Sequence, residues 1–146
     1  MFEYLKNQPT DKIMALMSLF GSDSRVNKID LGVGVYKDQS GLTPIMESVK
    51  TAENILLENQ KSKSYVGLLG SLSFVDRMIK LNLEESVSNN RICGAQTPGG
   101  TGALHQLFLL LRTAKPSSTV WISDPTWPNH PAILNHLKIN FKTYRY

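Results

Sequence analysis

The feature that most constrains the fold is an alternation of short apolar runs and helix-length segments from Arg91 to the last residue. The runs are typical of strands, and the segments between them have the spacing of helices. The predicted order is strand 92–96, helix 103–113, strand 119–123, a short helix after residue 129, and strand 139–146. Connections of this length join parallel strands, and helices normally cover both faces of such a sheet. We therefore predict an α/β fold with an incomplete parallel sheet and flanking helices.

The preceding part of the chain predicts an arm, three helices and one further strand. Apolar residues three and four positions apart indicate the helices, and capping residues or a first-turn proline mark their starts. The strand contains Gly32 and Gly34, and glycines inside a strand mark a bulge or a close approach to the backbone. The predicted elements are arm 1–9, helix Thr10–Phe20, strand 29–36, a helix from Thr43 to about Asn59, and a helix from Ser71 that ends within 83–90.

Composition and charge argue against several classes of protein. The chain has 146 residues, of which 41% are hydrophobic and 19% charged, as in an ordinary globular protein. Its net charge of +4 comes from scattered lysines and arginines, whereas a nucleic-acid interface needs them clustered. No apolar stretch approaches the roughly 20 residues that cross a membrane, and no secretory signal is evident. Cys93 has no disulfide partner in the chain, which agrees with a reducing compartment. From these observations together we predict a cytoplasmic protein without nucleic-acid or membrane partners.

A glycine-rich segment between a predicted strand and helix, Thr97-Pro98-Gly99-Gly100-Thr101-Gly102, is the strongest local signal of a site. Backbone N–H groups at a helix N-terminus, free of side-chain bulk, bind phosphate. A nucleotide P-loop would need a lysine that is absent here, and a dinucleotide fingerprint would need a glycine where His105 stands. A tight strand-to-helix turn without a ligand is the alternative.

The second signal is the loop Asp124–His130, which follows the next strand of the same predicted sheet. Ligands of open α/β sheets bind beyond the carboxyl ends of the strands, so both loops can face one ligand. Trp127 offers a flat face for a heteroaromatic ring and one N–H donor. Taken alone, Trp127 is more typically a core or surface residue, and His130 a structural hydrogen-bonding residue.

Neither a metal centre nor a serine hydrolase is predicted. The three histidines lack ligand spacing with Cys93 or with one another; they are His105, His130 and His136. No Gly-x-Ser-x-Gly nucleophile motif occurs in the chain.

Five motifs, in order along the chain, resemble those of the class I pyridoxal-phosphate-dependent aspartate and aromatic amino acid aminotransferases. They are Asp30-Leu31-Gly32-Val33-Gly34-Val35-Tyr36-Lys37-Asp38, Leu56-Leu57-Glu58-Asn59, Tyr65-Val66-Gly67, the segment Ala95–Leu104, and Trp127-Pro128-Asn129-His130. The resemblance runs from the first residues to the last with few gaps. It implies the N-terminal part of a fold-type I transferase that uses pyridoxal 5'-phosphate.

The resemblance also implies where cofactor and substrate bind. Gly100 and Thr101 match the cradle of the cofactor phosphate. Trp127 matches the tryptophan that stacks on the pyridine ring and donates its N–H toward substrate. His130 matches the histidine that supports the aspartate paired with the ring nitrogen. Gly34 matches the glycine whose backbone lies against the substrate carboxylate.

A dimer and a division into domains follow from the same resemblance. Tyr65 matches a tyrosine that reaches the phosphate of the neighbouring subunit's cofactor, which implies a homodimer with shared sites. Residues 1–9 match an arm that wraps the partner, 10–41 a part of the small domain, and 42–146 the start of a large cofactor-binding domain that is incomplete here.

The chain departs from the family pattern in two ways. His105 stands where an arginine is frequent, Lys12 replaces a proline, and Leu68-Leu69 replaces a more polar pair, but none of these is a named ligand. The family's covalent cofactor lysine, its ring-nitrogen aspartate and its substrate arginines match no residue of this chain. The resemblance therefore implies no catalytic residue here, and we expect a truncated N-terminal portion that is inactive alone.

The expected function is that of the longer enzyme: transfer of an amino group between an amino acid, aspartate or aromatic, and a 2-oxo acid. Two alternatives stay open at this point. The chain could be a catalytically inactive module for binding or dimerisation, or an unrelated small α/β protein that binds anions.

Overall fold

The computed structural model describes residues 2–7, 12–84 and 86–146. It contains helices α1 (Lys12–Ser22), α2 (Glu47–Asn59), α3 (Leu72–Leu83), α4 (Gly99–Ala114) and α5 (Asn129–His136), a 3-10 turn at Asn89–Arg91, and strands β1 (Thr119–Asp124) and β2 (Asn140–Arg145). The chain divides into a first unit, Met1–Ser62, and a second unit, Lys63–Tyr146.

The second unit is built on a parallel pair of strands. β1 and β2 pair from Thr119 opposite Asn140 to Asp124 opposite Arg145, and α5 forms the crossover between them. The apolar side of this pair packs against α4 and α5, because alternate strand residues point to one face. The buried core consists of Phe108, Ile122, Ile133, Leu134, Leu137 and Ile139. The predicted α/β class with an incomplete parallel sheet is confirmed.

Helix α3 packs on the extended segment that leads to α4. Val75 is buried, and a Cβ on Gly94 would lie 2.6 Å from the Cγ1 atom of Val75. Only a residue without a side chain permits this approach. An apolar groove of about 300 Å³ lies beside this contact, between α3 and residues 94–95.

The first unit contains α1, α2 and the loops around them. No residue of either helix is buried. Short-range polar contacts order the loops: Lys28 donates to the carbonyl of Phe20 at 2.7 Å, and Asp38 accepts from the N–H groups of Ser40 and Leu42 at 2.9 and 3.0 Å.

Two of the predicted strands are wrong. Residues 29–36 form no strand, because the Asp30 carboxylate accepts from the Gly32 N–H at 3.0 Å and turns the chain locally. Residues 92–96 also form no strand; their last residue, Gln96, donates one backbone hydrogen bond to Leu69 at 2.9 Å. Within the described part of the chain the sheet therefore has two strands and not three.

Helix boundaries differ from the prediction at three places. α4 begins at Gly99 and not at Ala103. Most of the glycine-rich segment 97–102, called the glycine turn below, is therefore the first turn of this helix. α2 begins at Glu47, after an extended segment that includes Thr43 and its proline. α1 ends at Ser22. The predicted start of that helix at Thr10 and the predicted arm's last residues, 8 and 9, lie outside the described residues.

Across residues 2–7, 12–84 and 86–146, no helix has the length and apolar character needed to cross a bilayer.

Candidate functional site

The glycine turn forms the N-terminus of α4. Gly99 has φ +70, a left-handed conformation that glycine adopts without strain. Its N–H donates to the carbonyl of Thr97 at 2.9 Å, and the Thr97 hydroxyl donates back to the Gly99 carbonyl at 3.2 Å. These two bonds tie the turn to the first residue of the helix.

The first turn of α4 has the properties of an anion site. Pro98 has no N–H and caps nothing with its side chain, and the Gly99 N–H is already bonded. The N–H groups of Gly100 and Thr101 lie where a helix provides no internal acceptor, and no acceptor for them is present among the described residues. Both residues are exposed, and the turn carries no acidic side chain that would repel an anion.

The loop Asp124–His130, called the tryptophan loop below, is held in place by hydrogen bonds of His130. Thr126 Oγ1 and His130 Nδ1 lie 2.6 Å apart, in a hydrogen bond whose donor depends on the ring tautomer. The His130 N–H donates to the carbonyl of Trp127 at 3.0 Å. The two rings meet edge to face, with centroids 5.6 Å apart and planes at 90°. The indole is 42% exposed, so it is oriented but accessible.

A side-chain hydrogen bond joins the two loops. Asn129, the first residue of α5, donates from Nδ2 to the Thr101 hydroxyl at 3.3 Å. The glycine turn and the tryptophan loop, predicted to lie at one edge of the sheet, are therefore brought together. The sequence patterns predict no role for Asn129 or for Thr126. The position of Thr126 four residues before His130 is the signal that could have indicated their contact.

Gly34 lies in the first unit, in the loop of residues 30–37. The Val35 N–H donates to the Val33 carbonyl at 2.9 Å, which makes a tight turn around Gly34. A Cβ added to Gly34 would meet no atom within 4 Å, so its backbone is open to another molecule.

An ion pair closes this loop. Lys37 Nζ lies 2.5 Å from Asp30 Oδ2, while Asp30 Oδ1 accepts from the Gly32 N–H. The hydrogen bond from Lys37 is the larger cause, and that from Gly32 the smaller, of a lowered pKa of the Asp30 carboxyl. The Asp30 carboxylate thus connects the start of the loop, through Gly32, to its end at Lys37.

Tyr65 belongs to the second unit, where no hydrogen bond or ring contact among the described residues joins it to Gly100, Thr101, Trp127 or His130. Its side chain is fully exposed, and no hydrogen bond or ring contact of Tyr65 is present in the described structure. It precedes a tight turn in which the Gly70 N–H donates to the Gly67 carbonyl at 2.8 Å.

No metal centre is found in the described ranges, where no three His, Cys, Asp or Glu side chains lie close enough together to hold an ion. The hydrogen-bond donors at the start of α4 are suited to an anion instead.

Comparison with known proteins gives consistent matches. Residues 26–146 match the family model described as aminotransferase class I and II. The chain is 49% identical over 142 residues to the aromatic-amino-acid aminotransferase of Paracoccus denitrificans. The aligned part is 97% of this chain and 36% of that protein. It is 40% identical to the aspartate aminotransferase of Escherichia coli K12, covering 100% of this chain and 38% of that protein.

A solved structure gives the same match in three dimensions. It is the aromatic-amino-acid aminotransferase of Burkholderia pseudomallei covalently bound to pyridoxal phosphate, with a TM-score of 0.89 and 34% identity over 100% of this chain and 37% of that one. The chain therefore spans little more than a third of the length of these relatives, and the matched part is their N-terminal portion.

Proposed function

The chain belongs to the class I and II aminotransferase family, and from that membership we propose that it carries the phosphate cradle and the ring-stacking tryptophan of an aminotransferase. The family predicted from the motifs is thereby confirmed. The proposed reaction is transfer of an amino group between aspartate or an aromatic amino acid and a 2-oxo acid. The observation that supports it most is the Asn129–Thr101 hydrogen bond, which joins the two loops that the proposal assigns to one cofactor.

The residues present fit the phosphate group of pyridoxal 5'-phosphate. Gly100 and Thr101 offer two N–H donors and one hydroxyl at the positive end of the α4 dipole. A Cβ on Gly100 would meet no atom within 4 Å, which leaves space for phosphate oxygens. Asn129 holds the Thr101 hydroxyl and so orients it.

We assign the ring end of the site to Trp127 and His130. The accessible indole face would stack on the pyridine ring, and the edge-to-face contact with His130 would fix the tilt of the indole. When bound, the cofactor supplies an electron sink for negative charge at the substrate α-carbon. We assign the substrate carboxylate to the open backbone of Gly34.

Tyr65 is proposed to contact the cofactor phosphate that a second copy of the chain binds. Its exposed side chain makes no contact within the described residues, which agrees with a phosphate contact across a homodimer. A cytoplasmic homodimer in which residues 1–9 form an arm, 10–41 a part of the small domain and 42–146 the start of the large domain completes the proposal.

The test compares two site variants in the full chain. Thr101→Ala removes one hydrogen bond to a charged group. It should weaken the binding of pyridoxal 5'-phosphate by about 1.5–3 kcal/mol, which raises the dissociation constant roughly 10- to 150-fold. Trp127→Phe keeps a stacking face and should change the dissociation constant by less than about threefold. Both constants are measured from the amide shift of Gly100 during a cofactor titration.

Trp121→Phe is the matched control, because Trp121 is exposed on β1 and belongs to neither loop. It should leave cofactor binding unchanged. Equal losses in both site variants that follow a fall in melting temperature would mean that the two loops are scaffold and not site.

A separate prediction concerns turnover by the chain alone. None of its lysines matches the family's covalent cofactor lysine, so a coupled assay with aspartate and 2-oxoglutarate should detect no transaminase activity. Turnover that borohydride reduction abolishes would contradict this prediction, since it would reveal a lysine that binds the cofactor covalently.

A further inference from the structure

Gln96 connects the Gly67–Gly70 turn to the segment that leads into α4. Its backbone N–H donates to the carbonyl of Leu69 at 2.9 Å, and its side-chain Oε1 accepts from the N–H of Ser71 at 2.9 Å. The two hydrogen bonds lie on either side of Gly70. One residue thus holds the turn at two points.

The contact is too close for any side chain at position 70. Gly70 has φ +79, and a Cβ there would lie 2.4 Å from the Cβ of Gln96 and 2.6 Å from its Oε1 atom. A side chain on residue 70 would therefore push Gln96 away. Ser71 itself is the N-cap of α3, since its hydroxyl accepts from the Phe74 N–H at 3.3 Å.

Gln96 is also next to the turn that presents the two N–H groups of Gly100 and Thr101. Thr97, the following residue, is bonded to Gly99 in both directions, through its carbonyl and through its hydroxyl. Ser71 is therefore linked to the first turn of α4 by its hydrogen bond to Gln96, by the peptide bond from Gln96 to Thr97, and by the hydrogen bonds between Thr97 and Gly99.

We propose that Gln96 is a positioning residue whose side-chain amide couples the Tyr65–Ser71 segment to the phosphate cradle. The inference rests on the proposed function, in which Gly100 and Thr101 bind phosphate and Tyr65 acts toward a second copy. Phosphate in the cradle orders the turn at Thr97–Gly99, and this ordering restricts Gln96. The hydrogen bond from the Ser71 N–H to Gln96 Oε1 then restricts Ser71 as well. Phosphate binding in the cradle of one copy thereby changes the Tyr65–Ser71 segment of the same copy, which acts toward the cofactor site of the second copy.

Amide NMR of the full chain, titrated with inorganic phosphate, tests the coupling. The Thr101 amide reports binding and the Ser71 amide reports the response of the distant turn. In the unsubstituted chain both amides should shift with the same midpoint. Gln96→Met has a similar length but no acceptor, so the Thr101 shift should persist while the Ser71 shift falls at least about threefold. Loss of a hydrogen bond of ordinary strength should also speed Ser71 hydrogen exchange about fivefold.

Two control variants separate coupling from damage to the fold. Gln96→Glu keeps an Oε acceptor and should retain the Ser71 response at saturating phosphate. Ser71→Ala removes the hydroxyl cap of α3 but keeps the N–H that bonds Gln96, so residue 71 should still respond.

The outcomes distinguish the two proposals. A Thr101 shift without a Ser71 shift in the unsubstituted chain overturns the coupling and leaves the phosphate cradle intact. Absence of a Thr101 shift removes the cradle, and the coupling with it. A Ser71 response that survives in Gln96→Met shows that another route carries it and also overturns the proposal.

Discussion

The two units of the chain contain helices of similar length but differ in what those helices bury. All seven buried hydrophobic side chains of the described residues lie in the second unit; they are Val75, Phe108, Ile122, Ile133, Leu134, Leu137 and Ile139. In the first unit α1 and α2 bury none of their residues, although both contain several leucines, methionines or isoleucines. Apolar periodicity is therefore enough to predict a helix, but a core requires a second layer against which the helix packs.

The difference also separates two sources of order. Full burial of a leucine contributes about 1.5–3 kcal/mol relative to exposure, so packing stabilises the second unit. The first unit is ordered by short-range polar contacts, such as the Lys37–Asp30 and Arg25–Asp23 pairs. Ion pairs that stay in contact with water, as these do, contribute little and are screened by salt. Perturbations of packing should therefore affect mainly the second unit.

The largest effect is expected at Leu134, the side chain that is 0% exposed. Leu134→Ala should lower the free energy of unfolding by about 2–5 kcal/mol, because it leaves a cavity in the core. Urea unfolding followed by far-UV circular dichroism measures it, since both units contain helices that contribute to this signal. The matched control, Leu56→Ala in α2, should change stability by less than about 0.5 kcal/mol. Equal losses would indicate a core in the first unit.

A glycine in each unit sharpens the comparison. Gly94→Ala places a methyl group 2.6 Å from the Cγ1 atom of Val75 and should destabilise the second unit by about 1–3 kcal/mol. Gly34→Ala meets no atom within 4 Å and should leave the thermal unfolding midpoint unchanged. Helical circular dichroism during heating measures both. If Gly34→Ala melted at as low a temperature as Gly94→Ala, the loop around residue 34 would be packed and not open.

Helix capping gives a smaller contrast. Ser71→Ala removes the hydroxyl that accepts from Phe74 at the start of α3 and should cost about 1 kcal/mol. Residue 46 stands at the same position before α2 and makes no side-chain cap bond, so Met46→Ala should have little effect. Chemical unfolding of the two variants checks the difference, and a larger loss for Met46→Ala would contradict it.

The smallest expected effect is on pH dependence in the first unit. The hydrogen bond from Lys37 lowers the pKa of Asp30 below its ordinary 3.8. A lowered folded-state pKa stabilises the loop above pH 3.8, and this contribution is lost as the pH falls through the folded-state pKa. Lys37→Met should return the pKa of Asp30 toward 3.8, as measured from its carboxyl carbon shift.

Asp38 provides an internal control for this titration. Its pKa is lowered chiefly by the hydroxyl of Ser40 and by backbone N–H groups, and Lys37 is not among the causes. It should therefore stay low in Lys37→Met. A parallel rise of both carboxyl pKa values would show that the loop unfolds and that the ion pair is not the cause.

The sequence by itself determined the helices of the described residues, the strands β1 and β2, and the two loops of the candidate site. These features follow from local rules, because apolar periodicity, glycine and proline placement and turn chemistry act over a few neighbouring residues. The family resemblance rests on the same short motifs. The roles of Gly34, Tyr65, Gly100, Thr101, Trp127 and His130 stay predictions.

Only the tertiary structure decided which extended segments pair and which loops touch. Residues 29–36 have the alternation of a strand, yet the Asp30 carboxylate accepts from the Gly32 N–H, and in the described part of the chain no strand pairs with this segment. The Asn129–Thr101 and Gln96–Ser71 hydrogen bonds join residues 28 and 25 positions apart. A polar side chain has many possible partners at such separations, and the packing of the surrounding helices and strands determines which one it meets.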